Sequence, residues 1–445
     1  MKRSRTLRIA PVAGLAAVAM LAAACGSSGG SSSTGSGKLT ASAPGITSST
    51  ITIGGTTPLT GVAAPGYDEI SQAANAYFQY VNAHGGIFGR KIHYIVENDQ
   101  YNPSITVTMT HQLVLTDNIF ADFNSLGTPT HLAVAPYLNS EKVPDVFVAS
   151  GCECWNAPST WPQTFGWQLD YIREGKILGQ YIKQHFAGKK IGYFSQDDEF
   201  GQDGVKGLDF EIPASQVVAR QTYDPTSTNI SAQVAKLKAS GAQVVVSFSV
   251  PAFTALLKLG MLGVNFNPQL VVSNVGSDAI TVGGLLTSFA KQGGKTVNGN
   301  QLTNGIITDG YLPALSTASS NTWLQLFSKI HTQYISKLPF DGNVEYGMSA
   351  AYTFVQAMFK AGKNPTRQDL LNAINKGLPQ GASVSPMAYS PTNHNGATGA
   401  YMGTIENGVL VQQGPVLVTD TSAGGAITAD NTAQPAVPAS GIPSP

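Results

Sequence analysis

YVNAHGGIFGRKIHYIVENDQYNPS, residues 80–104, holds the end of one element, the whole of a second and the start of a third. Upstream of it, Ile70, Ala73, Ala74, Tyr77, Phe78 and Val81 recur at helical spacing, and Gly85-Gly86 stops the helix they define. RKIHYIVEND (90–99) then reads as a strand. PSITVTMTHQLVLTDN (103–118) reads as a second helix despite its β-branched content. TITIGGTTPL (50–59) precedes the first helix as another strand. Strand, helix, strand in this order is the unit of a parallel sheet with helices on its faces.

The alternation continues outward. IFADFNSLG (119–127) and VPDVFVAS (143–150) are strands flanking the helix TPTHLAVAPYLNSEK (128–142). The pattern then restarts. Strands KKIGYFSQ (189–196), SQVVARQTYD (215–224), AQVVVSFSV (242–250) and PQLVVSNV (268–275) alternate with four helical segments between residues 173 and 263. A strand, GIITDGYL (305–312), three helices and two closing strands, AYMGTIENG (400–408) and VLVQQGPVL (409–417), complete the ordered part. Residues 419–445 are rich in Ala, Gly, Thr and Pro, and their composition predicts a disordered tail.

At 445 residues the chain is too long for one ordinary core, and two lobes are expected. Its 26 basic and 26 acidic residues cancel, so no electrostatic footprint points to nucleic acid. The N-terminus reads as a targeting segment. Lys2, Arg3, Arg5 and Arg8 precede an apolar run from Ile9 to Ala24, which ends in small residues before Cys25. Residues 1–25 therefore resemble a bacterial lipoprotein signal with Cys25 as the lipid anchor, although Leu21 lies four rather than three residues before it. Residues 26–47, largely Gly and Ser, form a flexible tether. With Cys25 lipidated, Cys152 and Cys154 remain as a pair in an oxidising compartment, either bridged or reduced.

The segments ITIGGTTPLTG, YVNAHGGIFGRKIHYIVENDQYNPS, PYLNSEKVPDVFVASG, IGYFSQDDEFGQDG and TYDPTSTNISAQVAKLKASGAQVVV together resemble the type-I periplasmic binding proteins. They resemble in particular the branched-chain amino-acid (leucine/isoleucine/valine) binding family of ABC importers. The resemblance runs from about Ile51 to Val418. It implies an α/β fold of two Rossmann-like lobes with parallel sheets, joined by a three-strand hinge. Lobe one would comprise 48–169 and 304–384, and lobe two 170–303 and 385–418. It also implies a small polar ligand, such as an amino acid or amide, captured by hinge closure and passed to an ABC importer permease at the extracytoplasmic face of the bacterial cell membrane, with no cofactor.

Open α/β sheets place ligands at the carboxyl ends of strands. Leu126, Gly127 and Thr128 occupy such an end, where Thr128 reads as a helix N-cap before Pro129 and aligns with a hydroxyl that contacts the ligand in the family. Ser150 and Gly151 end the fourth strand. There the family's hydroxyl position falls on Glu153, which either faces solvent or holds a cationic group. Phe200 aligns with an aromatic that packs on the ligand, with core packing as its alternative. The acid that anchors an α-ammonium in the family aligns with Val275. Asp278, three residues on, either replaces it or caps a helix beginning at Ala279. Tyr101 reads as loop packing, Trp155, Trp161 and Trp167 as core or hinge packing or else as a wall of the cleft, and Asp197-Asp198-Glu199 as a solvated loop.

No metal site is expected, since none of the seven histidines completes a set of ligands with that acidic run. Enzyme signatures are missing: FNSLG lacks the first glycine of a nucleophile elbow, GGKT lacks the earlier P-loop glycine, and no H-E-x-x-H occurs. The rival readings are a ligand-sensing receptor module and an amide-processing enzyme on a similar fold.

Overall fold

The computed structural model describes residues 38–444. The expected signal segment, Cys25 and the first part of the tether lie outside these residues. Residues 38–47 differ from the expected tether. Ile46 is buried and bridges to Ile51, and Thr40 N–H donates to Asn364 Oδ1 at 2.9 Å. The buried Arg90 guanidinium fans out to the carbonyls of Thr40, Thr47 and Lys363. One side chain thus fixes the segment that composition alone reads as free.

The first sheet contains β1 (Thr50–Thr57), β2 (Lys91–Asn98), β3 (Asp122–Phe123), β4 (Asp145–Val148) and β5 (Thr164–Gly166). Their spatial order is β2-β1-β3-β4-β5, all parallel, so β1 and β3 flank a topological switch point. The helix Tyr67–Ala83 covers this sheet and packs on the helix Gly342–Ala361. They approach so closely that a Cβ on Gly347 would sit 2.2 Å from the Ile70 carbonyl oxygen. The helix expected over 128–142 is broken into Thr128–Leu132 and Ala135–Ser140. Pro136 has no N–H to continue the hydrogen-bond ladder and restricts the residue before it.

The second sheet contains β6 (Ile191–Gln196), β7 (Val217–Tyr223), β8 (Val244–Phe248), β9 (Gln269–Val272), β10 (Ile307–Gly310), β11 (Gly399–Glu406), β12 (Val409–Val418) and β13 (Thr428–Asp430). The order is β13-β12-β11-β10-β9-β8-β6-β7. From β7 to β10 the pairing is parallel, and β11 to β13 add an antiparallel edge.

Two lobe boundaries differ from those the resemblance implies. β10 pairs with β9 and β11, so residues 304–310 belong to the second lobe. Residues 385–397 lie against the first: Tyr389 Oη donates to the Gly166 carbonyl at 2.8 Å, and His394 stacks on Phe165. The tail expected to be disordered is also placed. β13 pairs with β12, and the buried Lys176 Nζ donates to the carbonyls of Asp420, Ser422 and Gly425. The chain then returns to the first lobe. There Trp323 Nε1, Tyr80 Oη and Tyr77 Oη donate to the carbonyls of Pro435, Ser440 and Gly441, and Ile442 is buried. Beyond the three expected crossovers, this strap makes a fourth link between the lobes.

Candidate functional site

The carboxyl ends of both sheets face a cavity of about 170 Å³ whose wall draws on both lobes. Its upper wall is Leu126, Gly127 and Thr128 after β3, with Ala149 after β4. Its lower wall holds Phe200 after β6, Val250 after β8, Val275 and Asp278 after β9, and Tyr401 on β11. Tyr171, Tyr311 and Tyr346 add aromatic surface near the crossovers.

The hydroxyl end centres on Thr128. Gly127, with φ 109°, occupies the N-cap position, so Thr128 is the first helical residue and does not cap as expected. Its Oγ1 instead lies 2.7 Å from Ser150 Oγ, and both hydroxyls reach the Tyr171 phenol. Ser150 and Gly151 lie outside the wall. Ser150 braces Thr128 from behind, while Gly151 is pressed so closely that a Cβ there would sit 2.3 Å from the Leu169 carbonyl oxygen.

Phe200 is buried and packs on Tyr171 with ring centroids 4.5 Å apart. Asp278 caps the helix Ala279–Gln292 through Thr281 N–H at 2.8 Å. Its other oxygen accepts from Gly342 N–H at 3.0 Å, across the lobes. Tyr101, expected as loop packing, lines the cavity and accepts from Gln196 Nε2 at 3.1 Å. Asp198, expected as solvated, caps the helix Glu199–Glu211 at Phe200 N–H and accepts from Gln196.

Glu153 lies outside the wall, held by Asn156, Asn395 and Thr421, and burial raises its carboxyl to about 7. The tryptophans at 155, 161 and 167 pack outside the cavity wall, and the structure closes a disulfide between Cys152 and Cys154.

Several wall residues carry no signal that sequence reading picked up. Tyr67 opens the first helix. Glu345 and Tyr346 sit in the first turns of a helix whose pattern is dominated by core residues. The one legible sign is a carboxylate near the start of a helix rich in apolar residues, since an acid is rarely fully buried. Glu345 is 2 % exposed and lines the cavity. Burial, then the nearby Asp278, pushes its carboxyl well above the ordinary range. Asp309 also lines the cavity but is engaged. It accepts from Asn274 and lies against Glu174, and burial raises it to about 6 and Glu174 well above its usual value. Among the described residues no lysine, arginine or histidine lines the cavity.

A second buried cluster lies behind β3 and β4. His131 Nε2 bonds both Asp145 oxygens at 2.9 Å, with Asp122 alongside. Burial opposes charge on His131, but Asp145 and Asp122 outweigh it and raise its pKa. An imidazolium there balances the Asp145 carboxylate and anchors the Thr128 helix to the sheet, while burial and Asp145 push Asp122 up to about 7.

One parallel and one mixed sheet, in two Rossmann-like lobes with a shared cleft, define a two-lobed binding protein. Residues 50–409 match the family model described as periplasmic binding protein, and the chain belongs to that family. The family binds solutes rather than transforming them. The chain is 22 % identical over 355 residues to a protein of Brucella melitensis named Leu/Ile/Val-binding protein homolog 3, covering 77 % of this chain and 88 % of that protein. Among solved structures it resembles a possible leucine/isoleucine/valine-binding protein from Rhodopirellula baltica (TM-score 0.72, 19 % identity, 82 % of this chain and 96 % of that one). It also resembles a branched-chain amino-acid ABC transporter protein from Thermus thermophilus with bound valine (TM-score 0.71, 19 % identity, 84 % and 97 %). A third likeness is to a fatty-acid ABC transporter substrate-binding protein from Thermomonospora curvata (TM-score 0.68, 21 % identity, 85 % and 95 %).

Proposed function

We propose that this chain is the substrate-binding protein of an ABC importer, held at the extracytoplasmic face of the membrane by lipid on Cys25. It captures a small solute by closing its lobes and presents the closed form to the permease. The observation that carries this reading is the cavity itself, whose wall is shared between both lobes at the strand ends where such sheets hold ligands. The wall supports a solute with an apolar body, packed among Phe200 and the tyrosines, and a polar head. The Thr128 and Tyr171 hydroxyls supply donors for a carbonyl or carboxylate oxygen of that head, with Ser150 bracing Thr128. Relatives named for branched-chain amino acids, a valine-bound neighbour and a fatty-acid-binding neighbour suit an apolar body of modest size. The test is a thermal-shift screen of branched and aromatic amino acids, their amides, amines and short fatty acids, since a ligand of the folded state raises its melting temperature. Hits should lose affinity on Phe200→Ala; turnover of a hit, or no hit in any class, would refute the reading.

A further inference from the structure

Glu345 is the one carboxyl in the cavity wall that the protein leaves unanswered. Asp278 caps a helix and accepts from Gly342, and Asp309 accepts from Asn274. Glu345 Oε1 has no hydrogen-bond partner, although the residue is 2 % exposed and sits in the cavity wall. A buried carboxyl without a partner costs stability, and folding alone gives no reason to keep it there. The rest of the wall is apolar, aromatic, neutral polar or acidic, and among the described residues no cationic side chain lines it. An incoming positive charge is the group that would satisfy Oε1. That charge would also be attracted by Asp278 and Asp309 in a site from which water is largely excluded.

From this geometry we infer that the cleft selects a protonated amine, and that Glu345, projecting from the first lobe, is the residue that receives it. The inference rests on the cleft reading above and narrows it to organic amines, including amino acids and amino amides. The position after β9 where the resemblance expects an acid holds Val275, whose carbonyl is taken by Tyr67. The amine is then read from the opposite lobe. An ammonium on Glu345 leaves the rest of the solute to the aromatic wall and the Thr128 hydroxyl end.

Three probes of one shape separate the head groups: 3-methylbutylamine, 3-methylbutanol and 3-methylbutanoate. Calorimetric titration of the intact protein at pH 7 should give the amine at least 10-fold tighter binding than the alcohol, with the carboxylate weakest. Glu345→Gln keeps the shape and removes the group that can give up a proton and pair with an ammonium. It should erase the amine's preference while leaving alcohol binding within about 3-fold, and its ligand-free melting temperature should hold or rise, because an unpaired buried acid has been removed. An amine that binds wild type no tighter than the alcohol overturns the inference but leaves the cleft reading standing. So does a Glu345→Gln protein that keeps the preference, or one that melts lower and weakens all three probes alike. Failure of all three probes to bind wild type would overturn the inference, and the cleft reading would fall with it only if the thermal-shift panel also gave no hit.

Discussion

The Tyr67 phenol donates to the Val275 carbonyl at 3.0 Å, joining the first helix of lobe one to the turn after β9 in lobe two. Asn343 Nδ2 to Thr281 Oγ1 at 3.1 Å and Glu153 N–H to Asp203 at 2.9 Å span the same divide. These bonds join the two lobes, and the opening that the proposed capture requires would have to break them. Tyr67→Phe keeps the ring and leaves the carbonyl unanswered. It should cost the closed form about 0.5–1.5 kcal/mol, which weakens ligand binding about 2- to 10-fold. Calorimetry measures the loss, and small-angle scattering should show a larger ligand-free radius of gyration. Unchanged values in both would mean this bond does not bias closure.

A group of carboxyls crosses the same mouth. Glu69 and Asp341 of lobe one face Asp278 of lobe two, with Asp68 and Glu345 nearby. Burial raises Glu69 to about 7, and burial with Asp278 and Glu69 raises Asp341 to about 9. A raised carboxyl favours its protonated form in the folded, closed state. The stability it contributes is fully present below the ordinary carboxylate range near ~4 and is lost as pH rises through about 7 and then about 9. The melting temperature should therefore fall between pH 5 and pH 9. Asp278→Asn keeps the helix cap and removes one negative charge, so its slope should be shallower. A wild-type profile flat over that range would contradict the prediction.

Periodicity made much of the fold legible. Ile70 to Val81 mark the helix Tyr67–Ala83, and of the two readings open for Asp278 the structure shows the cap of the helix beginning at Ala279. What escaped reading depends on contacts between distant segments. Nothing local tells that Ile307–Gly310 pairs with β9, or that Lys176 meets carbonyls some 245 residues away. Composition made residues 419–444 look free because their order comes from partners on Tyr77, Tyr80, Trp323 and Lys176, not from their own side chains. The site was half legible for the same reason. Thr128 and Phe200 sit at strand ends that alternation reveals, whereas Glu345 and Tyr346 lie inside a helical pattern and line the cavity only through the tertiary fold.

The strap gives a third prediction. Lys176 Nζ is fully buried and three strap carbonyls take its hydrogens. Lys176→Met keeps the stem but leaves those carbonyls without a donor, costing about 1–3 kcal/mol and a lower melting temperature. Truncation after Thr419 also removes the contacts at Trp323, Tyr80 and Tyr77, and so the fourth link between lobes. Hydrogen exchange should then rise in the helices Tyr67–Ala83 and Thr322–Tyr334 and in β12. Protection unchanged in all three would mean that the strap constrains neither lobe.

Thr128 tests the hydroxyl end of the cleft, using the tightest ligand from the thermal-shift panel. Because Gly127 holds the N-cap position, loss of the Thr128 hydroxyl removes no cap; it removes the 2.7 Å contact with Ser150. Thr128→Val should therefore cost the ligand-free protein only about 0.5–1.5 kcal/mol, the net worth of one hydrogen bond. If the hydroxyl donates to a ligand oxygen, binding should fall by a further ~1–3 kcal/mol, because that oxygen is then buried without a donor. Thr128→Ser restores the donor and should bind within about 3-fold of wild type. Ser150 braces Thr128 without lining the cavity, so Ser150→Ala should weaken binding less than Thr128→Val does. Equal affinities for wild type and Thr128→Val would move the polar end of the ligand away from this hydroxyl, while a larger loss for Ser150→Ala would show that Ser150 makes the contact itself.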